Sequence, residues 1–291
     1  MGDFVISFLP CNHWQGSPLS TDISMERYLT ERWKKASCSI TPSGREAVSL
    51  LMQHLQLKSD DEVYITTTFE YPNVSSCVTS TIFNFCKPAR TFTERTRAIF
   101  AIHEFGVPHG RLQTLRKLAD SHRIPLIEDC AHTLDSYQDG VVVGSIADFT
   151  ICSFPKIFPV PYGGALIGSP VSSKPSPIDC KRIDRVRAEV TPHLPLLETY
   201  SESRRTVYRQ LTGRLKELGM RPLFEVSDSV APWLFPVQLP VWQECVERSA
   251  EFGVDCALWH GSEIVILPCH QFLSVPDLDR IIAFIDLMRK A

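Results

Sequence analysis

Apolar and polar positions along the chain follow two different rhythms. After Gly44 the stretch REAVSLLMQHLQL places Ala47, Val48, Leu50, Leu51, Leu55 and Leu57 at helical spacing, which predicts an amphipathic helix opening near Gly44. Arg111–His122 has the same rhythm, and a weaker version follows Pro72. Elsewhere the apolar residues come in short unbroken runs. Ala98–His103 (AIFAIH) and Pro125–Glu128 (PLIE) have the character of strands covered on both faces. Glu62–Thr66, Asp148–Cys152 and Ala165–Gly168 read as further strands. Strands alternating with helices at this spacing predict an α/β fold: a mostly parallel sheet with helices on both sides. Ligands of such sheets sit beyond the carboxyl ends of the strands.

The pattern divides the chain into three stretches. Residues 1–36 read as an irregular arm with a short helix around Met25–Lys35. Residues 37–170 carry the alternating strands and helices of a large domain. The polar, proline-rich stretch Ser169–Pro177 suits a boundary, and residues 171–291 then read as a small α+β domain. In that second part Leu196–Leu218, Pro240–Phe252 and Val275–Arg289 are expected helices, with Trp233–Val237 and Glu263–Leu267 as strands.

Composition narrows the class. A formal net charge of −3 gives no general attraction to nucleic acid or to an anionic membrane, so neither partner is expected. No apolar run is long enough to span a bilayer. The start MGDFVISFLPCNHW lacks the basic opening and long apolar stretch of an export signal, and Ser7 falls one position late for the myristoylation pattern. The ten cysteines are scattered singly, with no CxxC pair and no zinc spacing. They read as reduced thiols in a cytoplasmic protein, with no metal.

Three features carry candidate chemistry. Asp129 follows the strand PLIE and so faces the ligand crevice. Lys156 lies between two apolar segments, after DFTIC and before the turn FPVPYGG. Ser43-Gly44-Arg45 opens the first amphipathic helix, where free backbone N–H groups can bind phosphate and Arg45 can add a charge-assisted bond. Taken singly, each has an ordinary reading: Asp129 as a cap, Lys156 as a surface lysine, Ser43 as a plain helix N-cap. Together, a phosphate cradle, an amine and a buried carboxylate are what pyridoxal 5'-phosphate needs. At an effective dielectric near 20, opposite charges ~4 Å apart attract by about 4 kcal/mol. That is roughly three units of upward pKa shift on a ring nitrogen, enough to keep it protonated at neutral pH.

Residues 125–168, PLIEDCAHTLDSYQDGVVVGSIADFTICSFPKIFPVPYGGALIG, resemble the DegT/DnrJ/StrS type of sugar aminotransferase, a fold-type-I (aspartate-aminotransferase-like) family. The family shows IEDAAQ, then a lysine-bearing segment, then a Gly-Gly turn. SGREAVSLLMQHLQLKSDDEVYI is similar to its phosphate helix and next strand, and ILPCHQFLSVPDLDRIIAFIDLM to its closing strand and helix. The likeness covers roughly residues 38–290 of a shortened chain. It implies that Lys156 is the Schiff-base lysine and proton shuttle, that Asp129 pairs with the pyridinium nitrogen, and that His132 sits near the ring hydroxyl. It also implies that Ser153, Gly44, Arg45 and Ser43 hold the phosphate and that Tyr71 stacks on the ring, with Phe69 in its place if the register slips. It implies a homodimer with sites at the interface, an amino-acid donor (glutamate) and a keto acceptor, a nucleotide-linked sugar.

The sequence departs from the family pattern in several places. The commoner pattern puts five residues between the phosphate serine and the lysine, whereas Lys156 is three positions after Ser153, which suits a branch with Lys-x-x-Pro-x-Pro-x-Gly-Gly. Arg45 stands where Thr or Ser is usual. Only about a dozen residues lie between Phe85 and Ala98, where another strand is normal, and no Asn-Tyr-Arg-Met segment follows Gly168. Two other readings stay open: another reaction of the same cofactor (lyase, racemase or dehydratase), or a degenerate relative that binds a partner without catalysis.

Overall fold

The computed structural model describes residues 5–16, 20–168, 177–260 and 262–290. The chain enters through helix α1 (Met25–Trp33) and the short strand β1 (Ser37–Thr41), and then forms helix α2 (Gly44–Leu55). Four strands follow with helices between them: β2 (Glu62–Thr67), α3 (Ser76–Phe83), β3 (Lys87–Ala89), β4 (Thr96–Ile102), α4 (Leu112–His122) and β5 (Leu126–Asp129). A small hairpin of β6 (Tyr137–Gln138) and β7 (Val141–Val142) leads to β8 (Phe149–Ser153) and β9 (Gly164–Gly168). Beyond them lie α5 (Pro177–Val190), α6 (Leu197–Glu217), β10 (Leu234–Gln238), α7 (Trp242–Phe252), β11 (Ala257–Leu258), β12 (Ile264–Pro268) and α8 (Val275–Lys290).

Seven strands form the main sheet in the order β1-β9-β8-β5-β4-β2-β3. All neighbours are parallel except β9, which runs antiparallel to both β1 and β8. The expected α/β architecture is therefore what forms. Both faces of β4 are covered. Ala98, Phe100 and Ile102 pack with Val48, Leu51 and Ile82 of α2 and α3, while Ile99 and Ala101 pack with Leu112, Leu115 and Ala119 of α4. This two-sided burial is why the strand reads as one apolar run. A second sheet, β10-β12-β11, is antiparallel and packs on α6 and α8.

Several elements differ from the expectation. Ser37–Thr41, for which the apolar pattern suggested no element, is a strand; it sits at the sheet edge, paired with β9. The short connection between Phe85 and Ala98 does hold a strand, β3, three residues long and parallel to β2. Helix α5 occupies residues for which the apolar pattern suggested no element. The expected boundary at Ser169–Pro177 falls almost wholly outside the described residues. No helix among the described residues is long and apolar enough to cross a membrane.

Two buried features fix the strand ends. Glu128 accepts N–H bonds from Gly144, Ile146 and Ala147 and pairs with His103 at 3.0 Å. Burial alone would raise its pKa, but the His103 bond and the backbone donors hold it below the usual carboxylate range. The second feature is the turn after β4. Phe105 (φ 55) and Gly106 (φ 90) are both left-handed, and a Cβ at Gly106 would lie 2.2 Å from the Ala231 carbonyl oxygen. Gly106→Ala is expected to lower stability by at least about 2 kcal/mol, because backbone strain and a backbone clash add. A urea or thermal melt within about 0.5 kcal/mol of the parent would show that this turn can relax.

Candidate active site

The carboxyl ends of the parallel strands meet in one line. Thr67 of β2 is paired with Ile102 of β4, Ile102 with Asp129 of β5, and Asp129 with Ile151 of β8. Above that line is a cavity of about 370 Å³. Its floor is these strand ends, and its rim is the first turn of α2.

The α2 rim is capped by the Ser43 side chain. Ser43 Oγ accepts the Glu46 N–H at 3.2 Å and donates to the Glu46 carboxylate at 2.8 Å. The cap closes one orphan donor of the helix, while the Arg45 amide in the same turn has no intrahelical acceptor. Gly44 faces Ser153 so closely that a Cβ there would come within 3.0 Å of the Ser153 Cβ. The glycine thus holds open a slot between a helix N-terminus and a serine hydroxyl, the form of an anion cradle. The exposed Arg45 side chain also lines the cavity and reaches Cys77 Sγ at 2.9 Å.

Asp129 and Lys156 share this cavity. Asp129 is buried, accepts the Ala131 N–H at 2.9 Å, and has its pKa raised by burial against the pull of Lys156. Lys156 lies in the single helical turn Phe154–Lys156 that follows β8. Burial lowers its pKa, with Asp129 and Cys77 opposing. Its Nζ rests 4.3 Å from the centre of the Trp233 ring, a cation–π contact.

His132 lines the same cavity and is buried. Its ring is stacked 4.1 Å from Trp233, and its Nδ1 accepts the Phe105 N–H at 3.2 Å. A backbone N–H can only donate, so Nδ1 carries no proton and Nε2–H is the donor. Burial pushes the ring well below its ordinary pKa, which keeps it neutral.

Seven of the eight residues singled out in the sequence line this cavity: Ser43, Gly44, Arg45, Asp129, His132, Ser153 and Lys156. Tyr71 is not among the lining residues, and neither is Phe69. The chain turns at Glu70 (φ 57), and Phe69 stacks on Phe224 at 5.9 Å. Both rings therefore pack into the cluster around Phe105 instead of onto the cavity floor. The cavity has other walls that the sequence did not suggest. Glu104, Trp259, His260 and Thr67 line it. Glu104 is held by Phe69 N–H at 2.8 Å and by Trp259 Nε1–H at 3.2 Å, and burial raises its pKa. These residues come from strand ends and from the second sheet, far apart in sequence, so no local motif announces them.

The mostly parallel sheet, with a lysine, a carboxylate and a helix N-terminus over its strand ends, has the α/β architecture of the aminotransferase fold. Residues 86–168 match the profile of the DegT/DnrJ/EryC1/StrS aminotransferase family. The chain is 28% identical, over 188 residues, to the L-glutamine:2-deoxy-scyllo-inosose aminotransferase of Streptomyces fradiae, covering 51% of this chain and 43% of that one. It is 25% identical over 278 residues to the dTDP-3-amino-3,4,6-trideoxy-alpha-D-glucose transaminase of Micromonospora megalomicea subsp. nigra, covering 81% and 74%. The chain spans less than half the length of most curated relatives it matches. In fold it is similar to the aminotransferase TlmJ from Streptoalloteichus hindustanus, with a TM-score of 0.71, 18% identity, and 89% and 87% of the two chains covered.

Proposed function

We propose that the chain is a pyridoxal-phosphate-dependent aminotransferase that moves an amino group from an amino acid to the keto group of a sugar-like substrate. The observation that carries this reading is the shared cavity of Asp129 and Lys156, rimmed by the α2 N-terminus. The residues fit the cofactor. The Gly44 slot suits a phosphate, and the buried Asp129 faces a cation. When bound, pyridoxal phosphate supplies an aldehyde that captures amines and a ring that withdraws electrons from the substrate carbon.

The residues would divide the work as follows. The Gly44–Arg45 turn and Ser153 would hold the phosphate, with Ser43 capping the helix that presents those amides. Asp129 keeps the ring nitrogen protonated. His132, with its proton on Nε2, donates to the ring hydroxyl oxygen. Lys156 would hold the cofactor through Nζ and would supply the amine that takes up and returns a proton. Its lowered pKa suits both tasks, because only the neutral amine attacks a carbonyl or accepts a proton. Residues 37–170 would form the cofactor-binding domain and 171–291 the smaller one. The family resemblance also favours a cytoplasmic homodimer.

The amino donor is glutamate or glutamine; the name of the Streptomyces fradiae relative specifies L-glutamine. The expected result is that protein loaded with cofactor, mixed with one of these donors, loses its visible absorbance in a single turnover and releases the matching keto acid. Adding a keto sugar then restores the absorbance. Loss of colour with ammonia or water release and no stoichiometric keto acid would make it a lyase or dehydratase instead.

A further inference from the structure

We infer that Arg204 of α6 is a positioning residue for the Lys156 amine, acting as a clamp that ties the backbone of the lysine turn to the backbone that carries Trp233. The inference rests on the reading of Lys156 given above. Arg204 is 1% exposed. Its Nη2 donates to the Lys156 carbonyl at 2.8 Å and to the Ile157 carbonyl at 3.2 Å. Its Nη1 reaches the Pro232 carbonyl at 3.4 Å, one residue before the indole on which the Lys156 amine rests. Its Nε donates to Gln271 Oε1 at 2.8 Å, and Gln271 Nε2 in turn donates to the Ile157 carbonyl at 2.9 Å.

All four partners of this guanidinium are neutral oxygens, which is costly for a buried charge. By contrast, buried Asp135 meets the guanidinium of Arg32 in an ion pair. Burial pushes the Arg204 pKa down to about 10, so it stays charged at neutral pH. What this arrangement gains is geometry. A lysine side chain is long and rich in rotamers, and fixing its Cα alone leaves Nζ free to wander. The fork of Arg204 fixes both ends of the amine–indole contact at once, which an ammonium of similar charge cannot do.

The test compares parent, Arg204→Met, Arg204→Lys and Gln271→Ala proteins loaded with pyridoxal phosphate. Three quantities are read: the pH midpoint of the visible absorbance of the lysine-linked cofactor, kcat and KM for the amino donor, and the melting temperature of the cofactor-free form. Loosening the lysine turn changes how the amine sits against Trp233 and Asp129, so Arg204→Met is expected to shift the midpoint. It is expected to lower kcat roughly 10- to 100-fold with KM within about threefold, because misplacement acts on the reacting geometry. Arg204→Lys should recover the melting temperature without recovering kcat. If Arg204→Met does not fold, Gln271→Ala carries the test with a smaller loss of kcat at unchanged KM. A midpoint and kcat unchanged in variants that only melt lower would overturn the inference and leave Arg204 a structural residue. A parent protein with no visible band at all would overturn the cofactor reading, and this inference with it.

Discussion

Lys156→Ala is expected to abolish covalent capture of pyridoxal phosphate and to lower turnover by about 10⁴-fold or more, since one amine provides both the linkage and the proton transfer. The size follows from the lack of a substitute. Asp129 is committed to a cation, and His132 is neutral with its Nδ1 already accepting from Phe105. The same substitution should not cost stability. The folded-state pKa of Lys156 lies below its unfolded value, so at neutral pH the unfolded chain binds the proton more tightly and the lysine works against folding. That penalty is greatest below the folded pKa and disappears above the unfolded one. Cofactor-free Lys156→Ala is therefore expected to melt at or above the parent temperature at pH 7. An inactive variant that also melts much lower would mean that the substitution broke the fold, not the chemistry.

Asp129→Asn is expected to separate binding from turnover. Asparagine keeps the shape and can still accept the Ala131 N–H through Oδ1. What it loses is the charge. About 4 kcal/mol of attraction between carboxylate and protonated ring nitrogen corresponds to roughly a 10³-fold loss in rate. Lys156 remains, so the cofactor should still bind and still be trapped covalently. With Asp129 no longer raising it, the Lys156 amine should titrate lower than in the parent. In the parent, burial raises the Asp129 pKa, so activity should fall with acid earlier than an ordinary aspartate would dictate. A variant within about tenfold of parental turnover would remove Asp129 from its assigned role.

The legibility of this chain followed burial. Strands β4 and β5, covered on both faces, stood out as apolar runs. Strand β1 did not, because only Ile40 and Thr41 of its five residues are buried. Strand β3 is three residues at an edge and contains Pro88, which removes a ladder donor and weakens any strand signal. Helix α5 is mostly polar and gives little periodic contrast. At the site the same logic held. Asp129, Ser153 and Lys156 each lie at or just past a strand end within one stretch of sequence, and Ser43-Gly44-Arg45 at a helix start. Glu104, Trp233, Trp259, His260 and Arg204 enter from other elements, and only tertiary packing brings them to the lysine. Phe69 packs against Phe105 and Phe224, which are distant in sequence, and Tyr71 lies beside Phe69 in the same cluster.

The most direct measurement is chemical. Protein loaded with pyridoxal phosphate is treated with borohydride, digested, and the modified peptide identified by mass spectrometry. The account predicts stoichiometric labelling on the peptide that contains Lys156 and none in Lys156→Ala. Labelling at another lysine, or retention of the label in that variant, would contradict it.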